Sequence, residues 1–213
     1  ALNYTNAHRF LEMPLNHLGY TAEYFDINQP LPTNLPVGRY AGIAVWLSST
    51  PNPVAPFTGW ILRQIGNGTA VAFLGQLNLS HDSRTLKRLG LSSVSAPTVP
   101  QLHVASADPM FRGEAPLQPD HRSLDPIRLT DPNTALVTLS DQVGSHYTAA
   151  ALTQWGGFVL DPFVVKDIPG TEQARWHFDP FPKRRPRRRG CGPWRPARHR
   201  RPRCVHRPAH RGA

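Results

Sequence analysis

Residues 40–75 spell strand, helix, strand. The first run, Tyr40-Ala-Gly-Ile-Ala-Val-Trp-Leu47, is continuously apolar over a strand's length, which is the pattern of a strand covered on both faces. Residues 48–56 break it, because Pro51, Pro53 and Pro56 each fix φ and remove a main-chain donor. From 57 to 65, Phe57, Trp60, Ile61 and Ile65 recur at helical spacing, with Arg63 and Gln64 predicted to face outward. Gly66-Asn-Gly68 ends the helix and Thr69-Ala-Val-Ala-Phe-Leu-Gly75 gives a second buried strand. A unit of this length fits a right-handed βαβ crossover with its two strands parallel in one sheet.

The flanking segments extend the alternation. Residues 6–18 form a helical segment that Asn6 can cap, with Phe10, Leu11, Leu15 and Leu18 on one face and Gly19 at its end; Pro14 inside the pattern predicts a kink or two short helices. Residues 21–27 follow as a strand and 28–36 as a loop. After Gly75, residues 82–89 make a short helix that turns Leu86 and Leu89 inward and Arg84, Lys87 and Arg88 outward. Helix, strand, helix, strand, helix predicts an α/β fold, a Rossmann- or flavodoxin-like three-layer arrangement with a mainly parallel sheet.

The second half changes character. Residues 97–132 are rich in Pro, Asp and Ser, and only 101–105 read as a strand. Residues 135–139 and 157–160 are better strands, and residues 146–155 between them are either another strand or, given three alanines, a short helix.

The formal net charge of +10 invites a nucleic-acid or anionic-membrane reading. The charge is concentrated at one end. Residues 183–213 hold Lys183, twelve arginines and no acid, which leaves 11 basic and 14 acidic residues, a charge of −3, in residues 1–182. The expected organisation is therefore an α/β domain over 1–182 and a disordered Arg/Pro-rich tail over 183–213, where Val205 is the one branched aliphatic residue. The tail is either a polyanion-binding arm or the product of a slipped reading frame in GC-rich DNA. The abrupt stop after Arg175-Trp-His-Phe-Asp-Pro-Phe181 favours the slip.

Cys191 and Cys204 both lie in the tail, so residues 1–182 can hold no thiol nucleophile, thiolate metal site or disulfide. No run approaches the roughly 20 apolar residues of a membrane-spanning helix. Residues 1–5 have neither the charged nor the apolar region of a signal peptide, and without an initiating Met the chain reads as a piece of a longer protein.

Ligands of open α/β sheets sit beyond the carboxyl ends of the strands. Those ends carry Ser48, Ser49 and Thr50 after the first run and Gly75, Gln76 and Ser80 after the second, with Asp82 beyond. Hydroxyls and main-chain donors there suit an anion, yet the same residues are ordinary turn and cap residues, and that is the favoured reading. Gly66-Asn-Gly68 precedes a strand instead of following one, which argues against a dinucleotide site. The histidines of residues 1–182, His8, His17, His81, His103, His121, His146 and His177, show no H-x-H, H-x3-H or H-E-x-x-H spacing, and no G-x-S-x-G elbow exists. Sequons occur at Asn3, Asn67 and Asn78. Trp46, Trp60, Trp155 and Trp176 suggest a sugar-stacking platform, although Trp46 and Trp60 fall on buried faces.

Four stretches carry a resemblance: Phe10-Leu-Glu-Met-Pro-Leu-Asn-His-Leu-Gly-Tyr20, Tyr40-Ala-Gly-Ile-Ala-Val-Trp46, Leu152-Thr-Gln-Trp-Gly-Gly-Phe158 and Arg175-Trp-His-Phe-Asp-Pro-Phe181. With these the sequence resembles the middle region of PelA-like proteins, which modify and trim the Pel exopolysaccharide of biofilm-forming bacteria. The resemblance implies a periplasmic α/β region between a glycoside-hydrolase-like barrel and a metal-dependent deacetylase domain. It implies no catalytic, cofactor or metal residue here, no cofactor, and as partners those two domains and a polysaccharide. The alternatives are a ligand-binding or enzymatic domain of flavodoxin or amidotransferase kind, or nucleic-acid binding through the tail. The absent cysteine speaks against the amidotransferase.

Overall fold

Strand β1 (Ile43–Val45), helix α2 (Val54–Gly66) and strand β2 (Val71–Gly75) form the expected unit, with Ile43, Ala44 and Val45 paired in parallel with Val71, Ala72 and Phe73. The computed structural model describes residues 5–36, 38–47, 49–96, 102–108, 124–160, 165–168 and 171–174. The tail, residues 175–181 and Ser48 lie outside them. Every residue of β2 is buried. Phe57, Trp60 and Ile61 are buried on α2, as their spacing predicts.

Gln64 departs from the expectation that it faces outward: its exposure is 0%. Helical periodicity places it beside the apolar stripe, and the loop at 30–36 supplies what a buried amide needs. Gln64 Nε2 donates to the Thr33 carbonyl at 3.1 Å, and one turn earlier Trp60 Nε1 donates to the Pro32 carbonyl at 2.7 Å. Asn67 Nδ2 adds a third tie, to Asn34 Oδ1 at 3.3 Å. The loop thus lies along α2, fastened by residues spaced about one helical turn apart.

The amino-terminal helix is split as Pro14 requires. A π-helical turn, Ala7–Leu11, runs into α1 (Glu12–His17), and Pro14 falls in the first turn of α1, where its missing N–H costs least. Asn6 is helical and makes no side-chain cap bond, against expectation. Past Leu18, the Gly19 and Tyr20 amides donate back to the Asn16 and Leu15 carbonyls, the paired bonds of a Schellman ending. Residues 21–26 carry no strand, which corrects the predicted 21–27 element. Side chains fix the segment instead. Tyr24 Oη donates to Glu12 Oε2 at 2.7 Å, and Glu23 Oε2 accepts from Tyr40 Oη at 2.7 Å and from Arg39 Nη2 at 3.1 Å.

Beyond β2, helix α3 (Ser83–Arg88) buries Leu86 as expected and leads into β3 (Leu91–Ser93). Strand β4 (His103–Ala107) begins two residues later than predicted. Strand β5 (Ile127–Leu129), which the Pro/Asp-rich composition around it conceals, pairs antiparallel with β3 in a small separate sheet. A 3-10 turn at Pro132–Thr134 precedes β6 (Ala135–Ser140), and β7 (His146–Thr153) and β8 (Gly156–Leu160) follow. Strands β9 (Val165–Ile168) and β10 (Thr171–Ala174) form an antiparallel hairpin.

The main sheet has the order β1-β2-β8-β7-β6-β4. The fold is α/β with a mixed six-stranded sheet. The predicted mainly parallel sheet is corrected: β1–β2 and β2–β8 are parallel, whereas β8–β7, β7–β6 and β6–β4 are antiparallel. Connection length is the reason. Only Gln154 and Trp155 lie between β7 and β8, and a two-residue link cannot return a strand parallel to its predecessor. The alanine run that left residues 146–155 undecided is strand. Ala149, Ala150 and Ala151 are fully buried between paired neighbours, where tertiary packing overrides a helical preference.

Candidate functional site at the carboxyl ends of the parallel strands

Because β1 and β2 run parallel, their exits lie side by side, and the predicted site residues fall on those exits. Gly75 has φ +88° and Asn78 φ +53°, so the chain leaving β2 turns twice within four residues. Asn78 is almost wholly buried, and its amide joins the two exits. Asn78 Oδ1 accepts from Thr50 Oγ1 at 2.9 Å, while Nδ2 faces the Gln76 and Leu47 carbonyls at 3.4 and 3.5 Å.

Ser80 is held at both ends. Its amide donates to Thr58 Oγ1 of α2 at 2.9 Å, and its hydroxyl donates to Asp82 Oδ2 at 2.8 Å. Asp82 is the N-cap of α3, accepting the Thr85 amide on Oδ1 at 2.9 Å and the Thr85 hydroxyl on Oδ2 at 2.7 Å. The Thr85 amide, followed by the Thr85 and Ser80 hydroxyls, holds the Asp82 carboxyl down at about 2. A carboxylate so acidic is a poor base for a serine hydroxyl at neutral pH, so the Ser80–Asp82 contact is a cap and not an activated nucleophile.

Asp125, just ahead of β5, reaches the same region. Its Oδ2 accepts the Leu77 amide at 2.7 Å, and its Oδ1 lies 3.8 Å from His81 Nε2, beyond hydrogen-bond length. The structure therefore brings Thr50, Gly75, Gln76 and Ser80 to one edge and adds Asn78 and Asp125, which the sequence reading did not select as site residues. Ser49 is exposed there. The signal for Asn78 was its residue type, since Asn tolerates a positive φ better than most; Asp125 carried only the turn signal of Asp-Pro.

Several polar side chains elsewhere are bonded within the fold. Tyr24 is pushed up to about 12 by burial and by its bond to Glu12. Asp141, at the turn from β6 to β7, accepts the Val143 and Ser145 amides and faces Tyr147 Oη at 3.0 Å. Burial raises its carboxyl, but these bonds together outweigh that and leave it below its ordinary value. Trp46 and Trp60 are buried, as their faces predict, and Trp176 lies outside the described residues. Trp155 is half-buried and donates from Nε1 to the Leu89 carbonyl at 3.0 Å, so its ring edge is engaged within the fold. Among the described residues, no group of three or more His, Cys, Asp or Glu side chains is placed to hold a metal ion, and no helix is long and apolar enough to cross a membrane. The Asn78 sequon is inaccessible in the folded chain, whereas Asn67 is exposed.

No family model, curated protein or solved structure matches this chain.

Proposed function

We propose that residues 1–182 are a non-catalytic α/β scaffold domain, Rossmann- or flavodoxin-like in its parallel half, of a periplasmic exopolysaccharide-processing protein of the PelA-like kind. Its task is to hold neighbouring hydrolase and deacetylase domains in register on a polysaccharide. The observation that carries the non-catalytic part is at the strand ends, where α/β enzymes mount their chemistry. There Thr50 is spent on Asn78, Ser80 on Asp82, and Asp125 on the Leu77 amide. Thr50 and Asp125 fasten one segment to another, and the Ser80 hydroxyl completes the cap of α3 within its own loop. The exopolysaccharide setting rests on the four resembling stretches alone.

The reading is tested by incubating the purified chain with acetylated amino-sugar oligosaccharides, with and without added divalent zinc or cobalt. No release of acetate and no shortening of the oligosaccharides is expected. Metal-dependent acetate release overturns the scaffold assignment.

A further inference from the structure

Asn67-Gly68 is the single Asn-Gly step in the chain, and it sits where the last turn of α2 ends. Both residues are exposed. Asn67 is the C-cap, its amide donating to the Arg63 carbonyl at 2.9 Å, and the Gly68 amide donates to the Ile65 carbonyl at 2.9 Å. The Asn67 side chain is the outermost of the three ties that hold the 30–36 loop on α2.

We propose that Asn67 is a site of spontaneous deamidation whose rate is set by fraying of this last helical turn. The chemistry needs only water. The Gly68 main-chain nitrogen, on losing its proton to hydroxide, attacks Asn67 Cγ. The Cγ–Nδ2 bond breaks, ammonia leaves with a proton taken from water, and a five-membered succinimide remains. Water then opens the ring at Cγ to give Asp, or at the main-chain carbonyl to give isoaspartate; the net change is amide plus water to carboxylate plus ammonium. Gly68 lacks a side chain, so nothing crowds the attacking nitrogen. In the folded chain that nitrogen is a donor to Ile65, and it must leave that bond before it can reach Cγ. Helix ends open locally far more often than the whole fold does, so the helix end sets the pace.

Conversion has two effects. The new carboxylate has no N–H to offer Asn34 Oδ1, and it stands at the negative end of the α2 dipole, where an anion is unfavourable. The 30–36 loop loses its outer tie and the helix end loosens, while the Trp60 and Gln64 ties stay.

The full chain is kept in warm, mildly alkaline buffer, with a parallel sample in concentrated urea, and both are followed by peptide mass mapping. A gain of about one dalton at Asn67, with isoaspartate among the products, should accumulate in the folded sample at least several-fold more slowly than in urea. Asn67→Gln should remove it in both. Asn67→Asp, which mimics one product, should lower the Tm by roughly 1–3 °C and speed hydrogen exchange over residues 30–36. No conversion in the folded chain, or equal rates folded and unfolded, overturns the proposal.

Discussion

The main-chain oxygen of Val71 occupies the space into which a side chain at residue 156 would project: a Cβ built on Gly156 would lie 2.0 Å from it. Gly156 also has φ +132°, which side-chain-bearing residues rarely adopt, and it pairs with Val71 at the start of the β2–β8 ladder. Gly157 is as tightly placed, with a built Cβ 2.3 Å from the Ala151 carbonyl oxygen. Gly156→Ala is expected to cost about 3 kcal/mol or more, because main-chain atoms on two strands must separate. Urea unfolding measures it; a loss below about 1 kcal/mol would mean that the two strands are not so closely apposed.

The Asn78 amide ties the β2 exit to the β1 exit twice, through Nδ2 to the Leu47 carbonyl at 3.5 Å and, more closely, through the Thr50–Asn78 bond at 2.9 Å. Asn78→Ala removes that bond and leaves a non-glycine residue at φ +53°, for an expected loss of about 2 kcal/mol. Thr50→Ala should cost about 1 kcal/mol. In a double-mutant cycle the two should couple by roughly 0.5–1.5 kcal/mol. Strict additivity would show that the bond adds nothing.

Gln64 is buried with its amide nitrogen on the Thr33 carbonyl, and its Oε1 meets no hydrogen-bond partner among the described residues. Gln64→Ala leaves the Thr33 carbonyl unmet and opens space under the loop, and should destabilise by about 1–3 kcal/mol. Limited proteolysis should then cut within 30–36 before it cuts elsewhere in the described segments. An unchanged digestion pattern would mean that the loop does not depend on α2.

Stability should fall away at both ends of the pH scale, for reasons of opposite sign. Asp82 is depressed to about 2 in the folded chain, so its contribution is present above its unfolded value near 3.9 and is lost as pH falls through about 2. Tyr24 is raised to about 12, so its contribution is present below its unfolded value near 10 and is lost as pH rises through about 12. Asp82→Asn should flatten the acid limb of a Tm-against-pH curve and Tyr24→Phe the alkaline limb. Asp82→Asn should leave the alkaline limb as it was, whereas Tyr24→Phe also removes the bond that chiefly holds the Glu12 carboxyl below its ordinary value and so should soften the acid limb as well.

The β1–α2–β2 unit was legible because each of its signals is local: an apolar run, a proline break, a helical stripe, a closing glycine. Pairing in the second half was not. The strands around 135–139 and 157–160 are plain in the sequence, but their direction depends on residues 146–155, whose alanines suit either helix or strand until Tyr147 and Ala149 are seen to be buried. Gln64 was misplaced because the carbonyls that make its burial tolerable belong to residues about thirty positions earlier. The site shows the same limit. Thr50, Gly75, Gln76 and Ser80 were found from strand ends, whereas Asn78 and Asp125 act through partners that only the folded chain brings near.

Among the described residues, β8 alone stitches the parallel pair to the antiparallel strands, and it is the last described strand of the main sheet to leave the ribosome. A nascent chain released as far as residue 96 already contains β1, α2 and β2, yet the flank of β2 that β8 will cover stays bare until residue 160 has followed. For that interval an apolar strand has an open hydrogen-bonding edge, so synthesis itself creates a window in which a chaperone, or a second nascent copy, competes with the chain's own later residues.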